Sequence, residues 1–357
     1  MHFTLLALDW AFLLEKLILI AIIVSVSLVV AMYETYAERK IAAFIQDRRG
    51  PNRAGPFGLL QPVADGLKLF MKEEIIPKLS NRFLFILGPG LAMLTAMMTS
   101  AVVPWSSKIE LFGRSIELQI ADVNIGILYI FGVVSMGVYG VMIGGWASNN
   151  KFSLLAAIRG ASQIISYELA MGLSLIALLM LSHSLSLKTI VEQQQEGWYY
   201  VFYQPLGFLI FLVCAFAECN RTPFDLSEAE SELNFGYHQE YSSMKLGFYL
   251  FAEYVNMFIS SAVMATLFWG GYDIPFVNDA SFGIQHGQNL LALLQGLSLF
   301  IKVVFFIFFF IWVRWTIPRF RYDQLMRLGW KILIPLALIN MIITGFVVLL
   351  KQYGWPF

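Results

Sequence analysis

Residues 11–32 read AFLLEKLILIAIIVSVSLVVAM, and this stretch decides the class of fold. As a helix rising 1.5 Å per residue, 22 residues extend about 33 Å, enough to cross a hydrocarbon core of about 30 Å. Working outward, seven more stretches have similar length and composition: Phe83–Val103, Val123–Gly145, Gln163–Leu181, Trp198–Ala217, Phe248–Trp269, Leu290–Trp315 and Ile332–Leu350. The whole 357-residue chain is 58% hydrophobic and 13% charged. Soluble domains carry about 25% charged residues, so a soluble core is excluded. The sequence therefore predicts an all-α polytopic membrane protein: one transmembrane domain over residues 1–357, with about eight transmembrane helices plus an amphipathic surface helix.

Charge sets the orientation. Eighteen Lys and Arg residues fall in loops after spans 1, 3, 5 and 7, against Lys108, Arg114, Lys188 and Lys351 on the other side. By the positive-inside rule the basic loops are cytoplasmic and both termini lie on the opposite face. The start has no positive n-region or small-residue cleavage site, so it does not read as a secretory signal. Zero net charge leaves no nucleic-acid footprint. Cys214 and Cys219, five residues apart, point to different helix faces and offer neither a disulfide framework nor a thiolate metal site. No His–Glu metal spacing, phosphate-binding loop or nucleophile elbow occurs, so no metal ligands are assigned. His238, though in an acidic loop, reads as a surface residue.

Two cytoplasmic loops break the apolar pattern. In the first, residues 37–82, Gly50, Pro51, Gly55, Pro56 and Gly58 impose turns. Leu59, Leu60, Val63, Ala64, Leu67, Phe70 and Met71 then recur at helical spacing, with Asp65, Lys68 and Lys72 opposite and Pro62 in the first turn. This is a surface helix, which either pins the loop to the bilayer or walls an entrance for a lipid-soluble substrate. The other loop, residues 218–246, carries Glu218, Asp225, Glu228, Glu230, Glu232 and Glu240 beside a single Arg221. Such a run is either a solvated face or a set of crowded carboxylates whose pKa values rise enough to carry protons near neutrality.

Ionisable groups inside spans are rare and point to function. Glu34 and Glu38 are read as the end of span 1, Glu168 and Glu253 lie within spans 4 and 6, Glu218 closes span 5, and Lys302 sits in span 7. Glu15 and Lys16 are near enough to an end to snorkel. Gly140 and Gly144 give a small-residue spacing suited to close helix packing, and Gly88-Pro89-Gly90 is expected to break or kink span 2 early.

Several motifs together resemble one family of respiratory complex I membrane subunits, the H subunits, known in mitochondria as subunit 1. The first is Glu38-Arg39-Lys40 through Gln46-Asp47-Arg48-Arg49-Gly50-Pro51-Asn52-Arg53 to Gly58-Leu59-Leu60-Gln61-Pro62-Val63-Ala64-Asp65-Gly66-Leu67-Lys68. Trp146-Ala147-Ser148-Asn149, Ile165-Ser166-Tyr167-Glu168, Asn220-Arg221-Thr222-Pro223-Phe224-Asp225-Leu226 and Glu230-Ser231-Glu232-Leu233 follow in order. The resemblance implies a subunit of a proton-pumping NADH:quinone oxidoreductase, forming much of a quinone cavity and coupling quinone reduction to proton translocation. It implies that Arg39, Arg48, Asp65, Arg221, Phe224 and Asp225 line the cavity, with Arg221 and Asp225 as a pair. Glu38, Glu168, Glu218, Glu228, Glu230, Glu232 and Glu253 would relay charge. The redox cofactors, flavin and iron–sulfur clusters, would belong to partner subunits, with quinone as the substrate and no cofactor bound by this chain. Its neighbours would be the terminal iron–sulfur subunit, that subunit's quinone-site partner and small membrane subunits.

One stretch departs from the pattern: Asn234-Phe235-Gly236-Tyr237-His238-Gln239 is bulkier and more polar than the small residues and valine usual there. The non-cytoplasmic loops 104–122, 183–204 and 270–289 are longer than a mitochondrial version would need, which favours a bacterial inner membrane. Two other readings use the same carboxylates: the corresponding subunit of an energy-converting hydrogenase, and an ion-coupled transporter. No internal repeat supports the latter.

Overall fold

A computed structural model describes residues 10–111, 114–275 and 287–352. Among them, seven helices are long and apolar enough to cross a membrane. They are α1 (Trp10–Ile45), α3 (Arg82–Thr99), α4 (Gly126–Ala147), α5 (Lys151–Ser182), α10 (Ser243–Phe268), α11 (Gln288–Thr316) and the last, α13 (Ile334–Gln352), which continues from α12 (Tyr322–Arg327) through a π-helical stretch, Leu328–Leu333. The chain is a multi-pass, all-α membrane protein.

The fifth span differs from its expectation. Residues 198–217 do not form one helix but α7 (Tyr200–Tyr203) and α8 (Pro205–Glu218). Pro205 offers no N–H, and the residue before a proline is driven out of the helical region; Gln204 sits at φ −131° and ψ 56°. A polar break buried within the bundle must be satisfied by neighbours. Here Gln204 donates to Thr344 Oγ1 at 2.6 Å and accepts from Asn340 Nδ2 at 2.8 Å, both on α13. The 14 residues of α8 extend only about 21 Å, short of a full crossing.

Two further boundaries move. Helix α1 continues 13 residues past Met32, so Glu34 and Glu38 lie inside a 36-residue helix rather than at its end. Helix α3 runs unbroken through Gly88-Pro89-Gly90. The small residues there serve close approach instead: a methyl on Gly88 would stand 2.5 Å from the Tyr249 hydroxyl, and one on Gly140 would stand 2.9 Å from the Ala92 nitrogen. The expected surface helix forms as α2 (Gln61–Met71), with Pro62 in its first turn and Val63, Leu67, Phe70 and Met71 exposed.

On the face expected to be non-cytoplasmic, strands β1 (Lys108–Leu111) and β2 (Arg114–Glu117) form an antiparallel hairpin, and α6 (Leu187–Glu196) packs nearby. Lys108 and Lys188 both pair with Glu117. Helix α10 is the centre of the bundle: Val255, Phe258, Ala262, Met264, Leu267 and Phe268 are all sealed from solvent. The loop between α8 and α10, which includes the short α9 (Glu230–Leu233), folds onto the end of this helix.

Candidate functional site

The loop after α8 is held from inside the bundle. Gln163 on α5 is fully buried and donates its amide to Ala217 O at 3.1 Å and Phe224 O at 2.6 Å, which ties both ends of the turn to one side chain. Phe224 then packs edge-on against Tyr167, with ring centroids 5.3 Å apart. Between these anchors the Thr222–Pro223 bond is cis, and Arg221 is turned into the protein, 5% exposed.

Arg221 meets α1 and α10. Its Nη1 stands 3.7 Å from Glu38 Oε2, and its guanidinium lies 4.0 Å from the centroid of the Tyr254 ring. The Tyr254 hydroxyl donates to the same Glu38 oxygen at 2.8 Å, while Arg314 at the end of α11 pairs with Glu38 Oε1 at 2.7 Å. One buried carboxylate thus ties together α1, α10, α11 and the loop. Two Arg221 nitrogens, Nε and Nη2, and both oxygens of Glu34 are buried without a hydrogen-bond partner among the described residues. Burial works against the charge on Arg221, but Tyr254, Glu38, Glu253 and Glu228 outweigh it and hold its pKa above the ordinary arginine value.

Asp225 faces outward from this knot and pairs with Arg319 at 2.9 Å, leaving its Oδ1 buried and unbonded among the described residues. Burial and the charge of Glu228 push its pKa up to about 7, against the pull of Arg319, Arg314 and Arg221. Glu228 moves the other way. Burial opposes its ionisation, yet the His238 imidazole 3.1 Å away and the Arg221 charge hold it below the usual carboxylate range. His238 is fully buried and has Tyr237 against it at 3.8 Å between ring centroids. Tyr237 in turn donates its hydroxyl to Glu253 Oε1 at 3.4 Å.

From Glu253 a cavity of about 90 Å³ leads inward past Asn256 and Ser260 to Glu218. That volume admits a few waters between polar walls. Glu168, outside the cavity lining, accepts a hydrogen bond from Ser135 on α4 and lies near enough to Glu218 for the two to interact electrostatically. The arrangement is a set of carboxylates shared between the loop and the helices α1, α5, α8 and α10, with Arg221, Arg314 and Arg319 on the loop side. It is suited to passing protons or responding to a charge that appears near the loop.

A model of the NADH dehydrogenase family matches residues 17–345. An NADH-quinone oxidoreductase H subunit of Cytophaga hutchinsonii is 66% identical over 339 residues, 95% of this chain and 98% of that one. The H subunit of the same enzyme from Flavobacterium johnsoniae is 63% identical over 339 residues, 95% of this chain and 96% of its own. More distantly, NADH-quinone oxidoreductase subunit 8 of Rhodothermus marinus is 49% identical over 346 residues, 95% of this chain and 97% of its own. The chain belongs to the family of NADH-quinone oxidoreductase H subunits.

The residues that carry the family resemblance do not all meet in space. Glu38, Arg221, Phe224, Asp225, Glu228 and Glu253 converge at the loop, with Glu218 and Glu168 further in. Arg39 and Asp65 form a separate pair at 2.6 Å that ties α1 to α2, half exposed at the edge of the surface helix. The Arg48 side chain is exposed and donates to Gln46, and Glu232 pairs with Arg159 at a part-exposed rim. The side chain of Glu230 lies outside the described residues.

Two corrections follow. Arg221 and Asp225 are not ion-paired with each other: Arg221 pairs with Glu38 and Asp225 with Arg319. His238 is not a surface residue; aromatic packing and Glu228 enclose it completely. Sequence reading also passes over Arg314, Arg319, Tyr254 and Tyr237 as site residues. The one signal is position, since Arg314 and Arg319 flank a span end, where basic residues otherwise count only toward membrane orientation.

Proposed function

We propose that this chain is the membrane subunit of a proton-pumping NADH:quinone oxidoreductase, forms much of the quinone cavity and links quinone reduction to proton translocation. The observation that carries this reading is the buried knot of Glu38, Arg221, Tyr254 and Arg314, joined to a line of carboxylates entering the membrane. Quinone enters from the bilayer beside α2, whose exposed Val63, Leu67 and Phe70 suit a lipid-facing mouth. Arg39, Asp65 and Arg48 stand along that approach, with Arg221, Phe224 and Asp225 further in.

Reduction of a quinone to a quinol takes two electrons and two protons. On this reading the electrons come from NADH through flavin and iron–sulfur clusters in partner subunits, and this chain holds no redox centre of its own. The main contacts are the terminal iron–sulfur subunit, its quinone-site partner and small membrane subunits. Proton demand or negative charge at the reacting head shifts the balance between Asp225, Glu228 and Glu253. Glu218 and Glu168 carry that shift inward, with Glu230 and Glu232 supplying charge at the rim. The complex sits in a bacterial inner membrane, with both termini of this chain non-cytoplasmic. The names of the relatives favour quinone reduction over hydrogenase chemistry.

Native purification in mild detergent through a tag on this chain tests the assignment. Co-purification of flavin, iron–sulfur clusters and inhibitor-sensitive NADH:quinone reductase activity is expected. A chain that emerges alone, while other respiratory complexes stay intact, would overturn it.

A further inference from the structure

His238 is tightly enclosed in the loop, and its contact with Glu228 lacks the alignment of a hydrogen bond. It is fully buried, its ring packs against Tyr237 and lies 5.3 Å from the ring of Tyr249, and neither ring nitrogen has a hydrogen-bond partner there. Its Nδ1 lies 3.1 Å from Glu228 Oε1 without the alignment of a hydrogen bond, and that oxygen is unbonded too. Buried imidazoles and carboxylates normally make hydrogen bonds, so an imidazole nitrogen and a carboxylate oxygen held 3.1 Å apart without one point to a ligand.

A carboxylate oxygen from Glu228, another from Glu253 and one imidazole nitrogen lie within 4.8 Å of one another. Ligand atoms around a tetrahedral zinc with bonds of 2.0–2.2 Å stand about 3.4 Å apart, so closure by about 1.4 Å or less completes the group. Glutamate side chains make that adjustment by rotation, while the aromatic packing holds the imidazole still. We infer that Glu228, His238 and Glu253 form a binding site for a zinc-class divalent ion, with water in the fourth position.

The donor set selects the class of ion. Calcium takes six to eight oxygens and magnesium needs an octahedron of them, whereas one nitrogen and two carboxylates suit zinc. The two carboxylates neutralise the ion. Of the other nearby charges, Arg221 opposes binding and Asp225 favours it. Access is from the loop surface, where the Glu228 side chain is 16% exposed. Coordination holds both carboxylates in the ionised form, because metal ligands bind deprotonated. On the function proposed above, a bound ion therefore blocks proton movement between Glu228 and Glu253 and inhibits turnover reversibly.

The test is zinc K-edge X-ray absorption on the intact complex, stripped with chelator and titrated with zinc alone, for wild type and for His238→Gln. Wild type is expected to hold one more zinc than the variant, with one nitrogen and two or more oxygens at 2.0–2.2 Å. Zinc inhibition, measured within each preparation relative to its own uninhibited rate, is expected to need on the order of tenfold more zinc or above in the variant. Equal stoichiometry and coordination in the two proteins would overturn the site, whatever the activities show. Loss of the zinc without any change in inhibition would leave the site standing and sink the proton-path reading of it. If His238→Gln does not assemble, anomalous density at the zinc edge decides the matter in zinc-soaked wild-type crystals. A peak between the three side chains supports the site, and its absence at saturating zinc refutes it.

Discussion

Asp225→Asn gives the sharpest prediction, because one buried carboxylate sits where its proton is exchanged near neutral pH. Burial and Glu228 raise its pKa from 3.8 to about 7, although Arg319 is only 2.9 Å away. At about 1.4 kcal/mol per unit, the protein disfavours the ionised form by about 4 kcal/mol relative to water. The sign for stability follows from counting protons. Between 3.8 and about 7 the folded loop keeps a proton that an opened loop releases, so stability falls as pH rises through that window. Above it both forms are ionised and the slope ends. Asparagine fixes the neutral state and removes the slope. Quinone reductase activity in native membranes, followed from about pH 5.5 to about pH 8.5, is expected to titrate near 7 in wild type and to lose that inflection in the variant. NADH:ferricyanide transfer bypasses the membrane site and serves as the control. An unchanged inflection in Asp225→Asn would refute this assignment, and equal loss of both activities would indicate misassembly.

Other substitutions test separate parts of the account. Glu168→Gln replaces the carboxyl group that accepts from Ser135 and is expected to lower coupled turnover while the complex still assembles. Normal proton pumping and quinone reduction in that variant would remove Glu168 from the mechanism. Arg314→Gln leaves Glu38 with Arg221 and Tyr254 alone. The expected loss is about 2 kcal/mol, below the 3–5 of a broken buried pair because those partners remain, and it is read as a lower melting midpoint of the purified complex. Gly144→Ala puts a methyl 1.9 Å from the Tyr249 hydroxyl, which donates to Gly140 O at 3.0 Å. Overpacking of this kind costs about 1–3 kcal/mol or more, so the yield of intact complex on a native gel is expected to drop. Wild-type yield and melting would show that Tyr249 can step aside.

What was legible in the sequence follows the range of the forces involved. Hydropathy is local, so apolar runs, Pro62 and the turn glycines place five spans and the surface helix within about five residues, whereas α5 begins 12 residues before the expected Gln163. The break at Gln204 was missed because its compensation comes from Asn340 and Thr344, 136 and 140 residues away. The length of α1 was underestimated because a helix does not stop where the membrane does; Tyr33 to Ile45 remain helical beyond the apolar run. The acidic loop was recognised by composition and motif, but composition does not say which partner each charge finds. Arg221 reaches Glu38 across the chain, and Arg319 takes Asp225 from 94 residues away. The burial of His238 is not legible for the same reason: its flanks are polar, and the packing of Tyr237 and Tyr249 around it decides burial.

The central claim is that quinone is reduced against this chain, in a cavity reached beside α2 and ending near the Arg221 loop. A photoreactive quinone, illuminated in the intact complex and followed by peptide mapping, tests it most directly. The account expects labelled peptides from the 39–65 and 221–225 segments, with labelling suppressed by a quinone-site inhibitor. Inhibitor-sensitive labelling found only on other subunits, while the complex remains active, would contradict it.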